Sequence, residues 1–250
     1  MKDYRPAPDL LQDRVILVTG AGSGIGRAVA TAYAAHGATL VLLGPVLREL
    51  EATYDAIEQA GHPQPAIFEM DLAEAGPAEV HGMAASIGQH LGRLDGLVHN
   101  AALLPYLSRI DDYDPEDWER VLRINLTAPF LLTQACLPLL RQAPDASILF
   151  TTDKVGRRGR AYWGAYGVSK AGLDNLMQIL ADETEKDGRI RANAIDPGPV
   201  RSDLRIRIYP AQDPSTWAAP EDILGPYLFL MGPDSAGVTG RIWPPDGKMP

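Results

Sequence analysis

The sequence predicts an α/β fold built on a parallel sheet, from three observations. Short apolar runs alternate with longer amphipathic stretches along the chain. The runs are apolar at consecutive positions, as in strands covered on both faces. The first run passes through a cluster of glycines directly into a helical stretch. Alternation of this kind joins parallel strands by right-handed helical crossovers.

The β-branched run Val15–Thr19 is the first strand, followed by glycines and a helix over Ile25–Ala35 that stops at Gly37. Thr39–Leu43 is the second strand, and Leu47–Ala60 the second helix, ended by Gly61 and Pro63. Ala66–Met70 and Leu94–His99 are the third and fourth strands, with a helix over Ala78–Leu91 between them. Asp114-Pro115 starts a helix with a capping carboxylate and a proline in the first turn. That helix is expected to run to about Leu140, kinked by Pro129. Ser147–Thr152 is strand five, Tyr162–Lys186 a long helix and Ile190–Ile195 strand six. A short helix over Ile223–Met231 and a last strand over Thr239–Trp243 complete the pattern. Without repeats or a linker-like change of composition, the 250 residues read as a single domain. Its core covers about residues 10–245, with irregular tails at 1–10 and 244–250.

Composition narrows the function classes. The chain is 46% hydrophobic and 22% charged, which excludes fibrous and disordered classes. The net charge of −9 makes a nucleic-acid or anionic-membrane partner a poor expectation. Cys136 is the one cysteine, so neither an internal disulfide nor a cysteine-based zinc site can form. The five histidines, His36, His62, His81, His90 and His99, show no metal-ligand spacing, and no metal is expected. The first eleven residues lack the apolar core of a signal peptide, and no apolar run suits a bilayer span. A soluble cytoplasmic protein is the expectation.

The glycine cluster is Gly20-Ala21-Gly22-Ser23-Gly24-Ile25-Gly26. Glycines let the backbone turn sharply and approach a ligand closely. A helix N-terminus behind them offers free N–H groups and a positive dipole end, suited to a pyrophosphate. The other reading is a tight turn without a ligand. Dinucleotide folds often carry, about 20 residues on, an acid for the ribose 2′-hydroxyl. Here the second strand ends at Leu43-Gly44-Pro45 with no acid before Glu49, which argues against a strong NAD preference, while the absence of an arginine at Gly44 or Pro45 leaves NADP unestablished. Arg27 and Arg48 are candidates to meet a 2′-phosphate; each also reads as an ordinary solvated helix residue.

Tyr166 and Lys170 stand four residues apart at the start of the long helix, and so share a face. A nearby ammonium is expected to lower the tyrosine pKa from about 10 and fit it for proton transfer to a carbonyl oxygen. The spacing alone is common; behind a glycine loop it is informative.

Together, Thr19-Gly20-x₃-Gly24-x-Gly26, His99-Asn100-Ala101-Ala102, Asn125, Tyr166-x₃-Lys170 and Pro197-Gly198 resemble the short-chain dehydrogenase/reductase family in order and spacing. The stretch Val155–Lys170, with Leu10–Val18 and Tyr227–Asp234, is similar more narrowly to the YciK-type bacterial oxidoreductases. The resemblance implies a Rossmann-type, doubly wound sheet of seven parallel strands in the order 3-2-1-4-5-6-7. It implies that Gly20, Gly22, Ser23, Gly24, Ile25 and Gly26 hold a pyrophosphate. Gly44, Asp71 and Leu72 would serve the adenosine end, and Asn100, Ala101 and Ala102 would line the nucleotide. Pro197, Gly198, Val200 and Ser202 would position a nicotinamide. Tyr166 would be the acid/base, Lys170 its tuner and a ribose ligand, and Asn125 the holder of a relay water. The implied reaction moves hydride between NADP(H), favoured over NAD(H), and a small carbonyl or alcohol. The implied assembly is a homodimer or homotetramer.

One position departs from the family. Its catalytic serine stands 13 residues before the tyrosine and three before a glycine; both counts land on Asp153. An ionised aspartate accepts hydrogen bonds and donates none. A protonated Asp153 would donate. Alternatively it pairs with Lys154 or a basic substrate, or it leaves a cofactor-binding protein with weak or no catalysis, acting as a regulator or interaction protein. Thr152 is not expected to replace the serine, since neighbouring strand residues face opposite ways. Arg157, Arg158 and Arg160 read either as anion grips or as a solvated loop. The segment Asp203–Trp217 reads as a substrate lid or a surface excursion.

Overall fold

Residues 4–245 are described by a computed structural model. Seven parallel strands form one sheet in the order β3-β2-β1-β4-β5-β6-β7, as the resemblance implied. They are β1 (Val15–Thr19), β2 (Thr39–Gly44), β3 (Ala66–Glu69), β4 (Gly96–His99), β5 (Ala146–Thr151), β6 (Ile190–Ile195) and β7 (Ile242–Trp243). The central strands β1, β4, β5 and β6 are buried at every position. Successive side chains go to opposite faces. On β1, Val15 and Leu17 join one core, while Ile16 and Val18 join the other. Each such side chain removed from water contributes roughly 1.5–3 kcal/mol before chain entropy is counted.

Helices α1 (Gly24–Ala35), α2 (Leu47–Gln59) and α9 (Leu224–Met231) cover the second core. Helices α3 (Pro77–Leu91), α5 (Ala128–Leu140) and α7 (Gly164–Thr184) cover the first. Three shorter helices, α4 (Pro115–Leu122), α6 (Lys154–Arg157) and α8 (Asp203–Ile208), accompany them. A third cluster, with Leu104, Val121, Val155, Trp163 and Tyr166, gathers around α6 and the start of α7.

The expected helix from Asp114 to Leu140 is divided. Asp114 caps α4 through Oδ1, which accepts from the Glu116 and Asp117 amides. Arg123–Thr127 then forms a π-helical turn before α5. Pro129 has no N–H to give the carbonyl four residues back, at Asn125, so the α ladder cannot run straight through. Pro138 is absorbed within α5 without ending it. The last strand is two residues long rather than five, and α6 and α8 were not anticipated.

The N-terminal tail is a strap rather than a loose addition. Leu11 is fully buried, and the Tyr4 hydroxyl donates to Asp234 at 2.8 Å. Tyr4 also meets Phe229 of α9 edge to face. Residues 1–3 and 246–250 of the expected tails lie outside the described residues. Among the described residues, no helix is long and apolar enough to cross a membrane, and no cluster of three metal-ligating side chains occurs.

Candidate active site

The glycine loop follows β1 at the C-terminal edge of the sheet. Gly20 and Gly24 take positive φ, +66° and +50°. A Cβ on Gly26 would lie 2.0 Å from the Gly20 carbonyl oxygen, and one on Gly22 would lie 2.8 Å from Glu49 Cβ. Thus Gly22 and Gly26 close the turn from behind, while Gly20, Ser23, Gly24 and Ile25 line a pocket. Ser23 stands at the N-cap of α1 but makes no side-chain cap bond. The first N–H groups of a twelve-residue helix therefore open on the pocket, a cradle that fits a dinucleotide pyrophosphate.

The neighbouring strand braces the loop. Thr19 Oγ1 accepts from the Asn100 and Ala101 amides at 3.0 Å each, and Asn100 Nδ2 returns a bond to the Thr19 carbonyl at 3.2 Å. Asn100, Ala101 and Ala102 line the same pocket, as do Pro197, Gly198, Val200 and Ser202 beyond β6. Gly44, Asp71 and Leu72 do not line it. Gly44 ends β2, Asp71 is exposed and holds a turn through the Ala73 amide, and the Leu72 side chain is packed into the core. Arg27 is engaged with Thr53 Oγ1, at 3.1 Å, while Arg48 is exposed on the first turn of α2.

Tyr166, Lys170 and Asp153 come together on the opposite wall. Tyr166 and Lys170 are buried on one face of α7, and the Lys170 ammonium lies 5.4 Å from the Tyr166 ring centre. It donates to the Thr151 carbonyl at 2.8 Å. Burial lowers its pKa to about 8, against the pull of Asp153 and Asp174. Tyr166 departs from the sequence expectation: burial, followed by the fields of Asp153 and Asp196, pushes its pKa well above the usual value. Without a ligand the hydroxyl is thus held protonated.

Asp153 caps α6, its Oδ1 accepting from the Val155 amide at 3.0 Å. Burial raises its pKa; Asp196 adds to the rise, while the Val155 amide, Lys170 and Lys154 oppose it. Thr152 is nearly fully buried and its hydroxyl is closed off from solvent, so it offers no replacement donor to an open pocket. The Asn125 side chain is committed to its neighbours. Its Oδ1 accepts from the Leu103 amide at 2.7 Å, and its Nδ2 donates to the Leu103 carbonyl at 2.9 Å and to Ser169 Oγ at 3.1 Å.

Two buried carboxylates, Asp174 and Asp196, lie behind that wall, outside the residues lining the pocket. Arg157 bridges both, reaching Asp174 at 3.7 Å and hydrogen bonding to Asp196. It is a structural tie, not a free anion grip; Arg158 and Arg160 are exposed. Sequence reasoning missed both acids. Asp174 stands four residues after Lys170 on α7, and Asp196 directly precedes Pro197-Gly198. Over the opening, α8 contributes Asp203, Leu204, Arg205 and Ile208, with Tyr209 just beyond. The Arg205 guanidinium lies 4.9 Å from the Tyr209 ring centre and 4.8 Å from that of Trp217.

The short chain dehydrogenase family matches residues 14–213 of the chain. The chain belongs to this family. Among its short-chain dehydrogenase relatives, the uncharacterized oxidoreductase YciK of Escherichia coli (strain K12) is 43% identical over 96% of this chain and 94% of its own. A short chain dehydrogenase of Pseudomonas syringae superposes with a TM-score of 0.94 at 48% identity, covering 98% of this chain and 100% of its own. A family member from Escherichia coli CFT073, complexed with NADPH, superposes with a TM-score of 0.93 at 42% identity, covering 96% and 99%.

Proposed function

We propose that the protein is an NADP(H)-dependent oxidoreductase that moves hydride to or from a small substrate, with the carbonyl/alcohol couple as its plainest form. The observation that carries this reading is the convergence of the open α1 N-terminus with Tyr166, Lys170 and Asp153 in one pocket. NADP(H) is favoured because a close relative was crystallised with NADPH, and because no carboxylate stands at Gly44 or Pro45 while Arg48 is free at the start of α2.

Gly20, Ser23, Gly24 and Ile25 would hold the pyrophosphate, and Asn100 to Ala102 would line the nucleotide. Pro197, Gly198, Val200 and Ser202 would seat the nicotinamide. When bound, the nicotinamide gives or takes the hydride. Tyr166 Oη–H donates its proton to the substrate oxygen as charge develops there. Lys170 offsets the resulting phenolate charge and, with the Asn125 carbonyl, links the tyrosine to solvent. For a carbonyl substrate, Asp153 acts as a protonated acid that donates a second hydrogen bond; its burial beside Asp196 favours that form. We further propose a cytoplasmic homo-oligomer, supported by exposed Phe130 on α5 and by Val168 and Ile179 on one stripe of α7. Sedimentation at the monomer mass would overturn the assembly.

Titration with NADPH and NADH, followed by nucleotide fluorescence, tests the reading: saturable binding with NADPH preferred is expected. Tyr166→Phe should lower kcat by about 10²–10⁴-fold while NADPH affinity stays near wild type. Undiminished turnover removes Tyr166 from its role.

A further inference from the structure

We propose that the reacting atom of the preferred substrate is nitrogen, and that the pocket reduces a protonated imine to an amine. This rests on the oxidoreductase reading above and names its substrate class. Asp153 lines the pocket with Tyr166, and only its Oδ1 is used within the described residues, by the Val155 amide. The Tyr166 hydroxyl has no hydrogen-bond partner among them either. Beside a bound cation Asp153 is held ionised, and the pocket then offers an acceptor from Asp153 and a donor from Tyr166. A ketone oxygen carries no hydrogen, so a carbonyl/alcohol couple satisfies the ionised carboxylate in only one redox state. Nitrogen keeps an N–H in both the iminium and the amine, and Asp153 stays paired throughout.

The surrounding charges agree. Asp153, Asp174 and Asp196 stand against Lys170 and Arg157. Lys170 is turned to the Thr151 carbonyl, Arg157 is held by the two acids, and Lys154 is exposed. At the mouth, Asp203 accompanies Arg205, whose guanidinium is flanked by two aromatic rings. Three carboxylates thus gather behind the reacting position, and the two cations nearest them are each engaged, an arrangement that favours a cationic ligand over a neutral one. A carboxylate beside an imine also raises the imine's proton affinity, so more of it binds in the electrophilic protonated form.

In the step, the hydride electron pair forms a C–H bond at the iminium carbon, and the C=N π pair becomes the nitrogen lone pair. The reduced nicotinamide is oxidised, and the positive charge passes from substrate to cofactor. Tyr166 Oη–H donates to the lone pair as it appears, an interaction absent from the iminium and hence specific to the transition state and product. The amine then takes a proton from solvent and remains on Asp153 as an ammonium.

The test uses the whole chain and a pair of rings matched in size but differing in charge. Calorimetric titration with piperidinium and with tetrahydropyran, in the presence of NADPH, should show the cation binding about ten-fold tighter or more, the scale of one charged hydrogen bond. In Asp153→Asn, which keeps an acceptor for the Val155 amide, that preference should fall below about two-fold. Steady-state rates with NADPH should favour 2-methyl-1-pyrroline over cyclopentanone by about ten-fold in kcat/KM, and Asp153→Ser should reverse the order. Equal binding of the two rings, a preference that survives in Asp153→Asn, or faster reduction of the ketone by the wild type overturns the inference. The two readings fail separately. A folded chain that does not bind NADPH overturns the oxidoreductase assignment, whereas one that binds NADPH but ignores the cation overturns only the imine.

Discussion

At the scale of single residues, Asp153 is the position with the largest consequence. Its folded pKa is raised by burial and by Asp196, so it contributes stability below the unfolded carboxylate pKa and loses it as pH rises through the folded value. Asp153→Asn is therefore expected to melt at a higher temperature than wild type at pH 7, with the gap closing as pH falls toward 4. Thermal melts across that range check it, and a variant less stable at pH 7 contradicts the sign. Tyr166 shows where residue-level reading of a sequence goes wrong. The i,i+4 spacing with Lys170 was legible, but in the ligand-free site the net tyrosine pKa is raised rather than lowered, because burial outweighs the rest. Burial is the largest influence on Tyr166, and two acids, Asp196 just after β6 and Asp153 at the cap of α6, add to it. Asn125 was legible as a special position, yet its side chain is spent on Leu103 and Ser169.

At the scale of elements, hydrophobic patterning located nearly every strand and helix, because strands buried on both faces are written as uninterrupted apolar runs. The failures share one cause. The π turn at Arg123–Thr127, the four-residue α6 and the six-residue α8 are set by tertiary contacts and local caps, which leave little periodic trace. Asp153 and Ser202 cap the last two. The glycine turn itself was legible, though Gly22 and Gly26 close it from behind rather than facing the pocket, and its tolerance is predictable. Gly26→Ala places a methyl 2.0 Å from the Gly20 oxygen, so the turn must open. The variant should lose about 1–3 kcal/mol of stability and most of its NADPH affinity. Thermal denaturation and fluorescence titration check this; wild-type NADPH affinity would show that the turn is not the cradle.

At the scale of the whole molecule, the two ends of the sheet do different work. The pocket lies beyond the C-terminal edges of the strands, while the opposite edge is tied by charge. Asp145 takes Arg14 at 2.6 Å and Arg191 at 3.0 Å, and the nearly buried Arg191 also donates to the Leu230 carbonyl at 2.8 Å. Burial alone would raise the Asp145 pKa, but hydrogen bonds from Arg191 and Arg14 bring it below the usual value. Its contribution is then present above the unfolded carboxylate pKa and lost as acid titrates it. Asp145→Asn should cost about 3 kcal/mol at pH 7, and the difference should vanish in acid, as urea unfolding at both pH values would show. None of this network was read from the sequence, since its members are 39 or more residues apart. The packing of Gly156 has a mechanical consequence. A Cβ there would lie 2.7 Å from the backbone of Lys170, so the turn bearing Asp153 is pressed flush against the helix bearing Tyr166. The acceptor and the donor therefore form one stiff jaw that undergoes no rearrangement when substrate arrives. A site whose catalytic groups need not move leaves any closure over the substrate to the α8 residues that line its mouth.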